Sequence, residues 1–251
     1  MINYIKAELY RSFNRVYFWA YTASIGILSI LANVMILNVH CHIPTDSINS
    51  MFDKFIMSTL IMPIFLVVGF VDMITSEENK NETLRNVVVF GVTRSKIILS
   101  KLITTVILAF IAEIIILVLY FASAFVVFGV NNELIITIIR FCQKSLVATP
   151  LWIAAIAICT FLAVIIKNNT IFAFVYSGIF IFTDKIIGVL SFFVSDKFKY
   201  LENILITKKI NEISTSSLTS ETIISSVLMG VIYTLVFTII TIVYFEKKEV
   251  K

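Results

Sequence analysis

Long apolar segments alternate with short polar ones along the chain, and this alternation sets the expected architecture. A helix needs about 20 mostly apolar residues to cross a bilayer. The pattern predicts spans at residues 16–39, 55–75, 97–129, 146–166, 171–187 and 221–245. With 7 Gly and 3 Pro in the sequence, no long flexible linker is expected. We therefore predict an all-α integral membrane protein with six transmembrane helices in a single membrane domain.

The fifth apolar run is interrupted by charge. Its first part, residues 171–183, holds 13 residues before Asp184 and Lys185. That is about 20 Å of helix, against a hydrocarbon core of about 30 Å. We expect this helix to reach the outer interface near Asp184, and residues 188–220 to form an outer re-entrant or loop region.

Smaller features of the spans also carry predictions. Residues 130–145 are expected to form an outer loop, although the stretch 134–141 within it is apolar at periodic positions. Pro150 is expected in the first turn of the fourth span. Pro63 lies inside the second span and is expected to bend it, while neighbouring helices hydrogen-bond the freed backbone groups.

Residues 1–15 separate apolar from polar side chains in a helical pattern. The apolar stripe is Ile2, Ile5, Leu9 and Phe13, and the other side carries Lys6, Glu8, Arg11 and Asn14. This segment is either an interfacial amphipathic helix or an ordinary charged flank of the first span. With both termini inside, the inner segments hold 12 Lys and Arg and the outer segments hold 8. This difference favours an N-in, C-in orientation.

The composition excludes most other classes of protein. Hydrophobic residues make up 59% of the chain and charged residues 14%, whereas a soluble domain is about 45–50% apolar and about 25% charged. His40, Cys41 and His42 do not complete a metal site, because the chain has 2 His in all. No catalytic constellation and no GxxxxGK[ST] phosphate-binding segment is recognisable. We predict no catalytic residue, no metal, no bound cofactor and no nucleic-acid partner.

The polar interval at residues 76–96 has the residue pattern of a helix and not of an irregular loop. Thr83, Leu84, Val87 and Val88 recur at helical spacing, and acidic residues open the segment, where the helix dipole favours them. Gly91 stands where a helix commonly ends. Thr93 or Ser95 can then cap the helix of the third span. We expect a short cytoplasmic helix over residues 78–90, held between two membrane spans.

This interval carries a recognisable motif, a Glu followed by Thr-Leu, then Thr-Arg, then Lys. The residues are Glu78, Thr83, Leu84, Thr93, Arg94 and Lys101. With the basic N-terminus, the six spans and the short charged tail, it resembles the membrane subunit of ABC-2-type ABC transporters. The small bacterial permeases of peptide-antibiotic export, resistance and immunity are the most similar. Glu82 departs from the motif, because the family often has Gly there.

The resemblance implies that residues 76–96 form a coupling loop that docks on a separate cytoplasmic ABC ATPase. The coupling residues are then Glu78, Thr83, Leu84, Arg85, Val87, Val88 and Arg94. ATP and Mg are expected on that partner, and a second permease half, identical or different, completes the pathway in a bacterial plasma membrane. An antimicrobial peptide or another amphipathic or hydrophobic compound is the expected substrate.

Glu113 is a charged residue deep in the third span. A charge near the bilayer centre costs on the order of 2.5–3.5 kcal/mol, so Glu113 should face protein or water. It is either a substrate-contacting or proton-sensing carboxylate, or a protonated side chain bonded to a neighbouring helix. Two alternative functions stay open: a motor-free secondary transporter or channel that uses Glu113, and a membrane scaffold or sensor without transport.

Overall fold

A computed structural model describes residues 1–42, 47–76, 93–166, 168–193 and 196–247, and these residues contain helices and no strand. The α-helices are α1 (Ile2–Phe13), α2 (Val16–His42), α3 (Ile48–Ser58), α4 (Met62–Val71), α5 (Arg94–Phe128), α6 (Asn132–Ile165), α7 (Asn169–Phe193), α8 (Ile206–Thr215) and α9 (Ser220–Lys247). Within the described residues, 6 helices are long and apolar enough to cross a membrane. The all-helical, six-span prediction is confirmed.

The spans run in alternating directions, as contacts at both ends of the bundle show. At one end Arg94, which begins α5, donates to the carbonyls of Phe245 and Glu246 near the end of α9. We call this the proximal end. At the other, distal end, Asn49 at the start of α3 donates to Glu133 at the start of α6, with Nδ2 and Oε2 2.6 Å apart.

The fourth span is longer than the sequence predicts. We expected residues 130–145 to form a loop, but α6 begins at Asn132 and continues unbroken to Ile165. Asn131 caps its start by accepting a hydrogen bond of 2.8 Å from the Leu134 backbone N–H. The periodic apolar positions of this stretch are core, since Leu134 and Phe141 are buried. The loop prediction is wrong because that periodicity belongs to a helix.

The fifth span also corrects the sequence prediction. The predicted span ends at residue 187, whereas helix α7 continues to Phe193. Within it, the Asp184 carboxylate lies 3.7 Å from the Lys208 ammonium of α8. Of residues 188–220, the first six belong to α7, and the described remainder contains a 3₁₀ segment (Asp196–Ile204) and α8. The outer position of this region stays a prediction. Helix α8 is amphipathic, and its Ile206, Ile210 and Ile213 side chains are buried.

The second span, which Pro63 is expected to bend, is a broken helix. A 3₁₀ turn (Thr59–Ile61) separates α3 from α4, and Pro63 lies in the first turn of α4. Side chains of three other spans donate to carbonyls around the break. The bonds are Trp152 Nε1 to Leu60 O (3.1 Å), Tyr176 OH to Ile64 O (2.9 Å) and Tyr21 OH to Leu66 O (2.9 Å). Neighbouring helices thus satisfy the irregular backbone inside the bundle.

Replacing Tyr176 with phenylalanine is expected to weaken this arrangement by about 1 kcal/mol, the usual net value of a hydrogen bond. The Tyr176 side chain is fully buried, so no water replaces the lost donor to the Ile64 carbonyl. Thermal unfolding in detergent measures the loss. Tyr200→Phe is the matched control, because Tyr200 is 75% exposed. Equal melting of both variants contradicts the structural role of the hydroxyl.

The fourth and sixth spans pack closely at a proline and a glycine. Pro150 lies inside α6, eighteen residues beyond its first residue, and not in the first turn of a span as expected. A Cβ built on Gly230 of α9 lies 2.5 Å from the Pro150 carbonyl carbon and 2.6 Å from its oxygen. Only a residue without a side chain allows the two backbones to approach this closely.

Candidate functional site

Most of the predicted coupling residues lie outside the described residues. Glu78, Thr83, Leu84, Arg85, Val87 and Val88 belong to this group, and Arg94 is described. The structure does describe both flanks of residues 77–92. Ser76 ends the second span on one side, and Thr93 occupies the N-cap position of α5 on the other.

The flank before residues 77–92 is a π-helical turn (Asp72–Ser76) that continues α4. Two cationic side chains bond its carbonyls. Lys101 Nζ donates to the Ile74 carbonyl at 2.6 Å, and Arg15 Nη1 donates to the Met73 carbonyl at 3.4 Å. Cations at the C-terminal carbonyls of a helix are stabilised by its dipole. The end of the second span is thereby tied to α5 and to the junction of α1 and α2.

Lys101 is the more unusual of the two cations because it is buried. Its residue is 1% exposed, and a lysine is almost never fully buried unless it is paired. It follows an apolar stretch of α5, where Ile97 and Ile98 pack with Val164 and Phe245 in a core cluster. The buried ammonium therefore bonds the second span in a place closed to solvent.

The flank after residues 77–92 is attached to the sixth span. Arg94 Nη1 donates to the Phe245 carbonyl at 3.2 Å and to the Glu246 carbonyl at 2.7 Å. These carbonyls lie near the end of α9, which finishes at Lys247. We call Arg15, Arg94 and Lys101 the cationic frame. It links both ends of the predicted coupling loop to the proximal ends of four spans.

Sequence reasoning identified Arg94 but gave no role to Arg15 or Lys101 within the site. Both side chains bond backbone carbonyls, which every residue has. The sequence therefore contains no complementary pair of side chains that would indicate these bonds. The available signal was Lys101 itself, a lysine placed between Ser100 and Leu102 in an otherwise apolar segment.

A second feature is a cavity of 380 Å³ between α2, the broken second span, α5 and α6. Among the described residues that line it, Glu113 of α5 is the one charged side chain. Apolar side chains form most of the wall, including Leu28, Pro63 and Trp152. This volume is within the range of small-molecule pockets, about 300–1,000 Å³. Glu113 thus faces a space large enough for a ligand, and the cationic frame is a separate site.

Comparison with known families decides what kind of chain this is. Residues 5–184 match the family model described as "ABC-2 family transporter protein". The chain belongs to the ABC-2 transporter family. The match covers the first four spans, the whole cationic frame and Glu113, and it ends within α7. No curated protein matches the sequence.

This ABC-2 family chain is accordingly a multi-pass transporter permease, and the family implies partnership with an ABC ATPase and with the membrane. The peptide-antibiotic subtype stays a prediction. So do the N-in, C-in orientation and the coupling helix over residues 78–90.

Proposed function

We propose that this permease is the membrane-spanning half of an ATP-driven exporter. Residues 78–90 form a coupling helix on the cytoplasmic side, and this helix docks in a groove on a separate ABC ATPase. Leu84, Val87 and Val88 supply the apolar contact, and Glu78, Arg85 and Arg94 lie at its rim. Thr83 is also one of the proposed coupling residues. ATP and Mg are bound by the partner.

The observation that carries this proposal is the cationic frame. A segment that the ATPase displaces must be joined to the spans that it moves. Arg15 and Lys101 bond the span that precedes residues 77–92, and Arg94 bonds the sixth span. Displacement of the coupling helix therefore pulls on the proximal ends of four spans together, and nucleotide-driven closure of the ATPase rocks the membrane half as a body.

A second permease half, either a copy of this chain or a different one, completes the pathway in a bacterial plasma membrane. Large apolar side chains remain exposed along α7 and α9, among them Phe174, Phe182, Leu228 and Ile239. Lipid and the second half cover these faces. An antimicrobial peptide or another amphipathic compound is the proposed substrate, since the described part of the pathway holds little fixed charge.

The test is co-purification from mild detergent. The double variant Leu84→Asp/Val87→Asp is expected to lose the ATPase that accompanies the wild-type protein, because two carboxylates cannot enter an apolar groove without a large desolvation cost. Retained ATPase is expected to fall at least about tenfold, corresponding to 1.4 kcal/mol. Quantitative mass spectrometry of the purified complexes gives the ratio.

The matched control is Val130→Asp. Val130 is 73% exposed and follows α5 at the distal end of the bundle, so this variant should keep its ATPase. Equal loss in both variants means that added charge destabilises the permease generally. If no nucleotide-binding chain accompanies even the wild type, the coupling proposal is wrong.

One observation favours a second candidate, a motor-free transporter driven by an ion gradient. Within the described residues, Glu113 has neither a hydrogen bond nor an ion pair, and it faces a cavity near a broken helix. Broken helices and buried charges mark the binding sites of such transporters. This candidate requires that transport in proteoliposomes proceed without any ATPase and stop in Glu113→Gln.

A further inference from the structure

The cavity beside the broken second span has the chemistry of a selective site. Its wall combines α2, α3, α4, α5 and α6, and the 3₁₀ turn with Thr59 and Leu60 lies along it. Ligand sites are concave, mostly apolar and marked by a few polar groups. The polar groups of this wall therefore indicate what the cavity binds.

The decisive group is the Glu113 carboxyl. Helix α5 places Glu113 on the same face as Ala109, Ile116 and Tyr120, all of which line the cavity. Among the described residues no cation or hydrogen-bond donor reaches the Glu113 carboxyl, and the side chain is half-buried. A carboxylate in an apolar wall is costly unless a positive charge or a donor meets it.

A second polar atom supports the same conclusion. Tyr120 is 5% exposed, and its hydroxyl is buried without a hydrogen-bond partner in the described chain. Buried polar groups nearly always find a partner. Tyr120 lies two helical turns from Glu113, about 10 Å along the axis. Three hydroxyl side chains also line the cavity: Ser29 and Thr59 donate to carbonyls of their own helical turns, and the Tyr120 hydroxyl has no partner among the described residues. Glu113 is thus the one acidic group in a mostly apolar wall.

We propose that this cavity binds a lipophilic monocation, an elongated apolar body with a single ammonium-type centre that pairs with Glu113. Charge complementarity selects this occupant. Anionic amphiphiles are repelled by Glu113, neutral ones offer it at most a hydrogen bond and no opposite charge, and a polycation leaves further charges without partners in the apolar wall. As a statement about the transported substrate this rests on the proposed function, whereas binding itself needs only the permease.

The test measures binding by the tryptophan that lines the cavity. The sequence has 2 Trp; Trp152 lines the cavity and Trp19 does not. In a Trp19→Phe background the emission therefore reports the environment of Trp152. The full-length protein is placed in phosphatidylcholine nanodiscs and titrated with decylamine, decan-1-ol and decanoate. These probes share one chain length and differ in charge.

Decylamine is expected to bind at least about tenfold more tightly than decan-1-ol, corresponding to 1.4 kcal/mol, and decanoate more weakly than either. Glu113→Gln should remove this preference while leaving decan-1-ol unchanged. Glu221→Gln is the matched control, since Glu221 is exposed at the start of α9 and should keep the preference. Partitioning into lipid differs between the three probes, so it is measured with protein-free nanodiscs and divided out; it is the same for all variants and cancels between them.

Two results overturn the proposal: equal binding of decylamine and decan-1-ol by the starting protein, and a preference for decylamine that survives in Glu113→Gln. Ser29→Phe guards against a folding failure of that variant, because it narrows the cavity from α2 and keeps Glu113. It should weaken decylamine binding about tenfold, and unchanged binding contradicts the site. No ATPase takes part, so failure here leaves the co-purification result independent.

Discussion

Gly230→Leu is expected to separate the fourth and sixth spans and to lower the thermal stability of the permease by on the order of 10 °C. Even the first carbon of a side chain at Gly230 meets backbone atoms of Pro150 at 2.5–2.6 Å. Backbone atoms cannot rotate away as a flexible side chain can. Overpacking costs typically 1–3 kcal/mol and occasionally more, and leucine brings three further carbons into a contact that has no room for one.

The measurement is a thermal scan in detergent, followed by size-exclusion chromatography of the heated samples. Gly188→Ala is the control on another span, because a Cβ built at Gly188 of α7 meets nothing within 4 Å. It should leave stability unchanged or raise it by about 0.5–1 kcal/mol, the helical advantage of alanine over glycine. Similar melting of Gly230→Leu and Gly188→Ala contradicts the tight contact between α6 and α9.

Under the proposed function, Lys101→Met is expected to weaken the connection between the second and third spans that carries movement from the coupling segment. Methionine keeps the length of the side chain, so packing in α5 is conserved, but the Ile74 carbonyl loses its 2.6 Å donor. A buried acceptor left without its partner costs about 1–3 kcal/mol. We expect the variant to retain its ATPase in co-purification and to lose at least about tenfold in ATP-driven transport, which corresponds to 1.4 kcal/mol.

Both readouts are needed, because loss of the ATPase and loss of transport have different meanings. Lys96→Met is the matched control, since Lys96 is exposed five residues earlier on the same helix. It should keep both properties. If Lys101→Met transports as well as Lys96→Met, the bond between Lys101 and the second span does not transmit movement.

The sequence predicts the architecture wherever the composition of one continuous segment is enough to decide its structure. A long apolar run with few charges must span a membrane as a helix, so six spans are predictable. The errors arose where a distant residue changes the outcome. The predicted fifth span stops at residue 187, just after Asp184, because the partner of Asp184, Lys208 on α8, is not visible from the run itself. The pattern of residues 134–141 is compatible with a loop and with a helix. The structure shows a helix in which Leu134 and Phe141 are buried.

The residues of the candidate site also fall into two groups, those that the sequence indicates and those that it does not. The sequence predicts roles for the interval 76–96, Arg94 and Glu113, because polar residues are conspicuous against apolar surroundings. It did not locate Arg15 as a functional residue or assign a task to Lys101. Their partners are the Met73 and Ile74 carbonyls, and every residue has a carbonyl. Such pairings depend on how helices pack.

The three side chains that bond the broken second span have a consequence for how this transporter moves. Trp152, Tyr176 and Tyr21 belong to three different spans. Each donates a hydrogen bond to a different carbonyl along the second span. A piston stroke of that helix breaks all three bonds at once, in a place where no solvent compensates. Under the proposed function, we therefore expect the energy of ATP hydrolysis to tilt the intact bundle against the second permease half.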